Sequence, residues 1–163
     1  MEYKIDYLGN HTNQIEDISE TLFEEWTHLM PGIVQKDMEK SISERINFDK
    51  IPVALLALDE NKKWIGTVSI KQYDLDSRRD ISPWFCGFFV KKEYRNAGVG
   101  LALMKAIIDK ARELKINRIY LYTEKAEKYY LEKDWKLIER RNEVGNQVSI
   151  LEYNIGHCCP VKI

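Results

Sequence analysis

A chain of 163 residues, 44% of them hydrophobic, is long enough to bury one ordinary core and suits a single domain. Its 25 basic and 26 acidic residues are intermixed and leave a net charge of −1, which excludes the global positive field on which a nucleic-acid binder relies. No apolar run approaches the ~18 residues of a membrane span and the opening MEYKIDYLGN lacks a signal-peptide core, so a soluble cytoplasmic protein that binds neither nucleic acid nor membrane is expected.

Tyr3, Ile5 and Tyr7 alternate with polar residues and predict a strand over Tyr3–Leu8. Asn13 with Glu16 three positions on has the spacing of a capping box. Ile15, Ile18, Leu22, Trp26 and Leu29 then follow helical spacing up to the stop at Met30-Pro31-Gly32. A weaker helix, Val34–Asn47, places Met38, Ile42 and Ile46 on one face. Two β-rich runs flank the polar turn Asp59–Lys63 and predict a hairpin. A charged loop, Asp74–Asp80, leads to an apolar strand over Pro83–Val90, whose internal Gly87 marks a bulge or a close backbone approach. The helix after Gly98 carries Leu101, Leu103, Met104, Ile107, Ile108, Ala111 and Leu114. Asn117–Thr123 is a further strand, Glu124–Lys133 a short helix, and a strand pair around Gly145-Asn146 closes the chain.

The order β-α-α-β-β-β-α-β-α-β-β predicts one mixed sheet covered by helices. Within it the strand–helix–strand unit from Trp84 to Thr123 makes a right-handed parallel crossover. The domain spans residues 1–155, with a short C-terminal tail at 156–163. Cys86, Cys158 and Cys159 do not form a disulfide framework. Beside His157 the adjacent cysteines lack zinc spacing, and Cys86, between Phe85 and Gly87, reads as a small buried hydrophobe, so no metal is expected.

Gly98 and Gly100 open a helix, although glycine costs about 1 kcal/mol against alanine inside one. The first turn of a helix offers free N–H groups and a positive dipole end, and bare glycines let a phosphate approach them. Arg95 adds a charge-assisted contact. The plainer alternative is a turn and a tight helix–strand contact. A Walker loop is absent, and a dinucleotide fingerprint fails because Leu103 stands where its third glycine belongs.

The remaining spacing, Arg95-x-x-Gly98-x-Gly100 after the strand CGFFV and the lead-in KKEYR, resembles the pyrophosphate motif of the GCN5-related N-acetyltransferases (GNAT), a family that uses acetyl-CoA. A second stretch, AEKYYLEKDW (Ala126–Trp135), resembles the family's A-x-x-F-Y-x-x-x-G-F, with Asp134 in place of glycine and Trp135 in place of phenylalanine. SPWFCGFFVKKEYRNAGVG also looks like uncharacterised bacterial members with Pro-Trp before the central strand.

The resemblance implies a mixed, mostly antiparallel sheet of about seven strands with a splayed central parallel pair. It implies an enzyme that moves an acetyl group from acetyl-CoA to a primary amine of a small molecule or a protein, in a ternary complex and without a metal. A non-catalytic acyl-CoA-binding module on the same fold is the alternative. On the family's pattern the pantetheine arm pairs with the backbone at Phe88, Phe89 and Val90. The pyrophosphate meets Arg95, Asn96, Ala97, Gly98, Val99, Gly100 and Leu101, Thr123 is a polar cofactor contact, and Tyr130 is the catalytic acid. Asp74, Asp76 and Asp80 are candidates to attract a cationic amine, and Glu24, Glu25 or His28 to relay a proton. Arg118, Lys125 and Lys128 read as solvated charges rather than phosphate ligands. Family members often form homodimers.

Overall fold

The computed structural model describes residues 1–156, so the reading of His157, Cys158 and Cys159 lies outside the described residues. In chain order the elements are β1 (Lys4–Tyr7), α1 (Ile15–Trp26), α2 (Gln35–Ser43), β2 (Val53–Leu58), β3 (Trp64–Lys71), β4 (Trp84–Val90), α3 (Val99–Glu113), β5 (Arg118–Thr123), α4 (Glu127–Leu131), β6 (Lys136–Glu143) and β7 (Asn146–Asn154). The strands form one seven-stranded sheet in the order β1-β2-β3-β4-β5-β7-β6. Every neighbouring pair is antiparallel except β4 and β5, the two strands joined by the α3 crossover. Among the described residues no helix is long and apolar enough to cross a membrane.

Strand alternation divides the core into two layers. Val53, Leu55 and Ala57 of β2 face α3, where Leu103, Met104, Ile107 and Ala111 pack against them. Ala54, Leu56 and Leu58 face the other way, onto Ile18 and Leu22 of α1 and Met38 and Ile42 of α2. All six residues of β2 are buried, as a strand covered on both faces requires. Each fully buried Leu or Ile in these layers contributes about 1.5–3 kcal/mol relative to exposure.

Element ends depart from the sequence expectations for local reasons. No capping box forms at Asn13: a tight turn, Thr12–Gln14, precedes α1. Gln14 is buried instead, donating to the Lys62 carbonyl at 2.9 Å and accepting from the Trp64 N–H at 2.7 Å. That tertiary demand outweighs a local cap. The last turn expected of α1 tightens into a separate turn over Thr27–Leu29. The second helix stops at Ser43 rather than Asn47, because Ile46 bridges to Val53 at the start of β2. The last hairpin turns on Val144 and Gly145, with φ of 52° and 82°, one residue earlier than expected. Positive φ at both central residues is what a two-residue hairpin turn demands.

The helix before β6 ends where the family pattern has glycine. Trp135 N–H reaches back five residues to the Tyr130 carbonyl at 3.2 Å, with Asp134 left-handed at φ 67°. This is a Schellman-type stop, whose left-handed position favours glycine. Asp134→Gly is therefore expected to raise stability by about 0.5–1 kcal/mol, the left-handed strain removed outweighing the added freedom of the unfolded chain. Urea unfolding of both proteins checks it, and a loss of stability would mean that the aspartate makes a compensating contact.

Candidate active site

The site begins with an irregularity in β4. Its register with β3 runs Cys86 to Ser69 and then Phe89 to Thr67, so Gly87 and Phe88 together stand opposite Val68. Gly87 takes φ 58°, the left-handed conformation expected of a bulge glycine. On its other edge β4 meets β5 at one register pair, Trp84 with Tyr120, where Tyr120 N–H donates to the Pro83 carbonyl at 3.1 Å. Trp84 is fully buried there, its ring 6.0 Å from Tyr120 and 6.2 Å from Tyr122. Beyond that wedge the two strands part. Lys91 N–H donates to the Ile65 carbonyl of β3 at 2.8 Å, so alternation turns the N–H and C=O of Val90 into the gap.

The loop after β4 stands at the mouth of that gap. Asn96 and Gly98 are left-handed, at φ 61° and 82°, and Gly98 is the N-cap of α3. A Cβ on Gly98 would meet nothing within 4 Å, so the approach to the first helical turn is open. Val99, Gly100 and Leu101 belong to that turn, whose N–H groups have no intrahelical partner. The Val99 side chain is core, leaving only its backbone for a ligand, whereas Leu101 is exposed. Arg95 is exposed, with Nε donating to the Val90 carbonyl at 2.8 Å. Gly100 serves the plainer purpose as well: a Cβ there would lie 3.3 Å from the Phe88 ring and 3.6 Å from the Tyr129 hydroxyl.

On the inner side the parting strands open into a cavity of about 720 Å³, lined among others by Gly87, Phe88, Thr123 and Tyr130. Tyr130 is 8% exposed and ringed by Phe85, Phe88, Tyr129 and Trp135, at centroid distances of 5.3–6.4 Å. Burial, with a smaller contribution from Tyr129, holds its phenol above the usual tyrosine range, so it keeps its proton at neutral pH. Burial, with Asp74 nearby, pushes the Cys86 thiol up to about 11, which leaves it unsuited as a nucleophile at neutral pH. Thr123 is committed locally, its hydroxyl accepting the Ala126 N–H at 3.1 Å ahead of α4.

The candidate acceptor residues separate in space. Glu25, His28, Asp74 and Asp76 line the cavity, and Glu24 is not among its lining residues. His28 pairs with Glu124 at 3.3 Å and Asp74 with Lys71 at 3.0 Å. Burial opposes the charge on Lys71, yet Asp74 holds its ammonium above the usual lysine range. Asp80 is drawn off by Arg78 at 2.8 Å. Arg118 and Lys125 lie beside surface carboxylates, Glu152 at 3.6 Å and Glu124 at 3.8 Å. Two residues of the site were not foreseen. Tyr129 reads as core beside Tyr130, yet its hydroxyl stands next to Gly100. Arg45 lies in a polar stretch, SISERIN, where a charge reads as solvated, yet it is 4% exposed and lines the cavity.

The sequence pattern of the acetyltransferase (GNAT) family matches residues 13–133, well over half of the chain. No curated protein matches it by sequence. Its fold is similar to that of an acetyltransferase of the GNAT family from Staphylococcus aureus Mu50, with TM-score 0.71 at 20% identity, covering 94% of this chain and 99% of that one. It is also similar to YncA from Salmonella typhimurium, solved with its cofactor acetyl-CoA, with TM-score 0.70 at 13% identity over 100% of both chains. An aminoglycoside 6'-N-acetyltransferase complexed with coenzyme A gives TM-score 0.71 at 14% identity, covering 93% of this chain and 97% of that one. With the bulged strand, the splayed parallel pair and the glycine loop in one chain, the protein belongs to the GNAT acetyltransferase family.

Proposed function

We propose that the protein is an N-acetyltransferase that moves the acetyl group of acetyl-CoA to a primary amine by direct attack, with both substrates bound together. The observation that carries this reading is the gap between β4 and β5, with the open approach to Gly98 at one end and Tyr130 within the cavity at the other. The same features fit acetyl-CoA. The N–H groups of the α3 first turn, with Arg95, would take the pyrophosphate. The gap-facing edge of β4 from Phe88 to Val90, where Arg95 already holds the Val90 carbonyl, would pair with the pantetheine arm through its remaining groups and polarise the thioester carbonyl. Acetyl-CoA itself supplies an activated acyl group on a thiol leaving group.

The chain's own contribution is orientation and proton management. As the C–N bond forms and the C–S bond breaks, Tyr130 donates its proton to the departing sulfur. The phenol is protonated at neutral pH and can donate, while burial, by raising its pKa, makes it a weaker acid than a free tyrosine, so its contribution rests on its position in the cavity. The attacking amine must first lose a proton, for which Glu25, Asp74 and the His28–Glu124 pair stand on the cavity wall. Cys86 remains a thiol, in keeping with direct transfer rather than an acyl-enzyme. The similarity of the fold to proteins solved with acetyl-CoA or coenzyme A supports the same donor.

Acetyl-CoA at ~100 times its dissociation constant is expected to stabilise the protein by about 2.7 kcal/mol, read as a higher melting temperature. Gly98→Ala should keep the fold, at a cost of about 1–2 kcal/mol for its left-handed backbone, and weaken that stabilisation by filling the open approach. Gly98 is the cleaner test position, because a side chain at Gly100 also strikes Phe88. An unmoved melting temperature and no heat of binding for wild type would remove acetyl-CoA from the reading.

Tyr130→Phe keeps the ring and removes the acid. It should leave acetyl-CoA binding unchanged and lower kcat by about 10²–10⁴-fold. Because the phenol sits above the ordinary value near 10, wild-type kcat should hold to about pH 10 and fall only above it, and the variant should lack that fall. Wild-type turnover in Tyr130→Phe at every pH would make solvent the acid, and a change confined to KM would assign the hydroxyl a positioning role.

A further inference from the structure

Among the described residues, Arg45 is a buried cation without a counter-ion. Its side chain donates to two neutral hydroxyls, Ser69 from Nη1 at 3.1 Å and Ser41 from Nη2 at 3.0 Å. Nε is buried and has no partner, and no described carboxylate lies within ion-pair distance of the guanidinium. A buried guanidinium normally meets a carboxylate, because desolvating a charge costs several kcal/mol unless another charge answers it. The neighbouring groups do not answer it. Lys71 and Asp74 pair with each other at 3.0 Å on the same cavity wall, so Asp74 is engaged by Lys71 rather than by Arg45.

The position of this charge is fixed. Arg45 N–H donates to the Ile42 carbonyl at 3.0 Å, and its own carbonyl accepts the Ala54 N–H at 3.0 Å, which ties the residue between α2 and β2. Its Nη1 lies 2.9 Å from where a Cβ on Gly87 would stand, so the guanidinium packs against the bulge that borders the reacting end of the gap. The donor cannot supply the missing negative charge there. Its phosphates belong at the other end, by Gly98, and its thioester end is uncharged. An acceptor that carries an anion would supply it.

Building on the acetyltransferase reading, we propose that the acceptor is an amino acid, whose carboxylate is received by Arg45 while the amine on the adjacent carbon faces the thioester. The planar fork of the guanidinium matches a carboxylate, and the short path from Arg45 to the Gly87 bulge matches an amine and a carboxylate on one carbon. Trp26, Leu29 and Met30 line the cavity beyond and leave apolar room for the amino acid's side chain.

The test is thiol release from acetyl-CoA with the twenty common L-amino acids, each set against its carboxamide. At least one free acid should exceed its amide by about 30-fold or more in kcat/KM. Arg45→Met, of similar length but uncharged, should erase that preference while leaving the KM for acetyl-CoA unchanged. Arg45→Lys should restore part of it, through charge without the fork. As a readout independent of turnover, the N-acetylated form of the preferred acid should raise the melting temperature of wild type but not of Arg45→Met. If no acid reacts, all twenty N-acetyl acids are screened this way against their amides. Amides reacting as well as acids in wild type would overturn the carboxylate assignment and leave the transferase intact. So would an unchanged preference in Arg45→Met, or the absence of both acid turnover and acid-specific stabilisation. Failure of acetyl-CoA to bind wild type would instead sink the transferase reading.

Discussion

The single register pair between β4 and β5, Trp84 with Tyr120, is the constraint from which the rest of the cavity follows. Parallel neighbours in the middle of a sheet ordinarily bond along their whole length. Here each strand is held on its far edge instead: β5 pairs with β7 over all six residues, and β4 pairs with β3 on both sides of the bulge. Both strands are thus fixed while, past that pair, their facing edges do not bond to each other. Unmet backbone donors and acceptors are costly wherever they are also dry, so such an opening persists only where water or a ligand satisfies it. Trp84 keeps the strands together at one end, and the extra residue at Gly87–Phe88 turns them apart at the other.

Gly87 has two independent reasons to be glycine, and together they tie the backbone irregularity to the charge beside it. Its φ of 58° disfavours any side chain, and the space a Cβ would need lies 2.9 Å from Arg45 Nη1. The bulge therefore opens the strand pair and makes room for a guanidinium behind it. Burial of the guanidinium, 4% exposed, raises the worth of that charge. Arg45 is anchored by backbone hydrogen bonds to Ile42 and Ala54, both buried in the second core layer, so it pays little conformational entropy when an anion arrives. Lys71 and Asp74 pair with each other on the same wall, so neither engages Arg45.

Much of this was legible in the sequence because periodicity and special residues are local signals. The two glycines of RNAGVG, the interruption at Gly87 and the strand–helix–strand order predict the bulge, the crossover and the open helix start, and the structure contains each of them. What was not legible depended on partners far along the chain. Gln14 gives up a role near the α1 cap to meet Trp64, fifty residues on. Ile46 leaves its helix to bridge with Val53. Arg45 has the sequence surroundings of a surface charge, and only the folded chain sets it against Gly87 and Ser69. A buried charge gives no periodic signal, since burial is decided by what the strands on either side cover.

Gly100 joins the two ends of the site mechanically. With no side chain, it lets the first turn of α3 rest against Phe88 and beside the Tyr129 hydroxyl. Phe88 is itself one of the two bulge residues, and its ring also stacks near Tyr130. The first turn of α3 is thereby seated on the same residue that forms part of the bulge and helps enclose the Tyr130 phenol. From Gly87 to Val90 the strand spans three residue steps, about 10 Å at ~3.3 Å each. Along that length the start of α3, the gap-facing edge of β4 and the buried Arg45 pack one after another. Packing the α3 start and Arg45 against one strand fixes their spacing through the sheet, which is the rigidity that the proposed two-substrate reaction calls for.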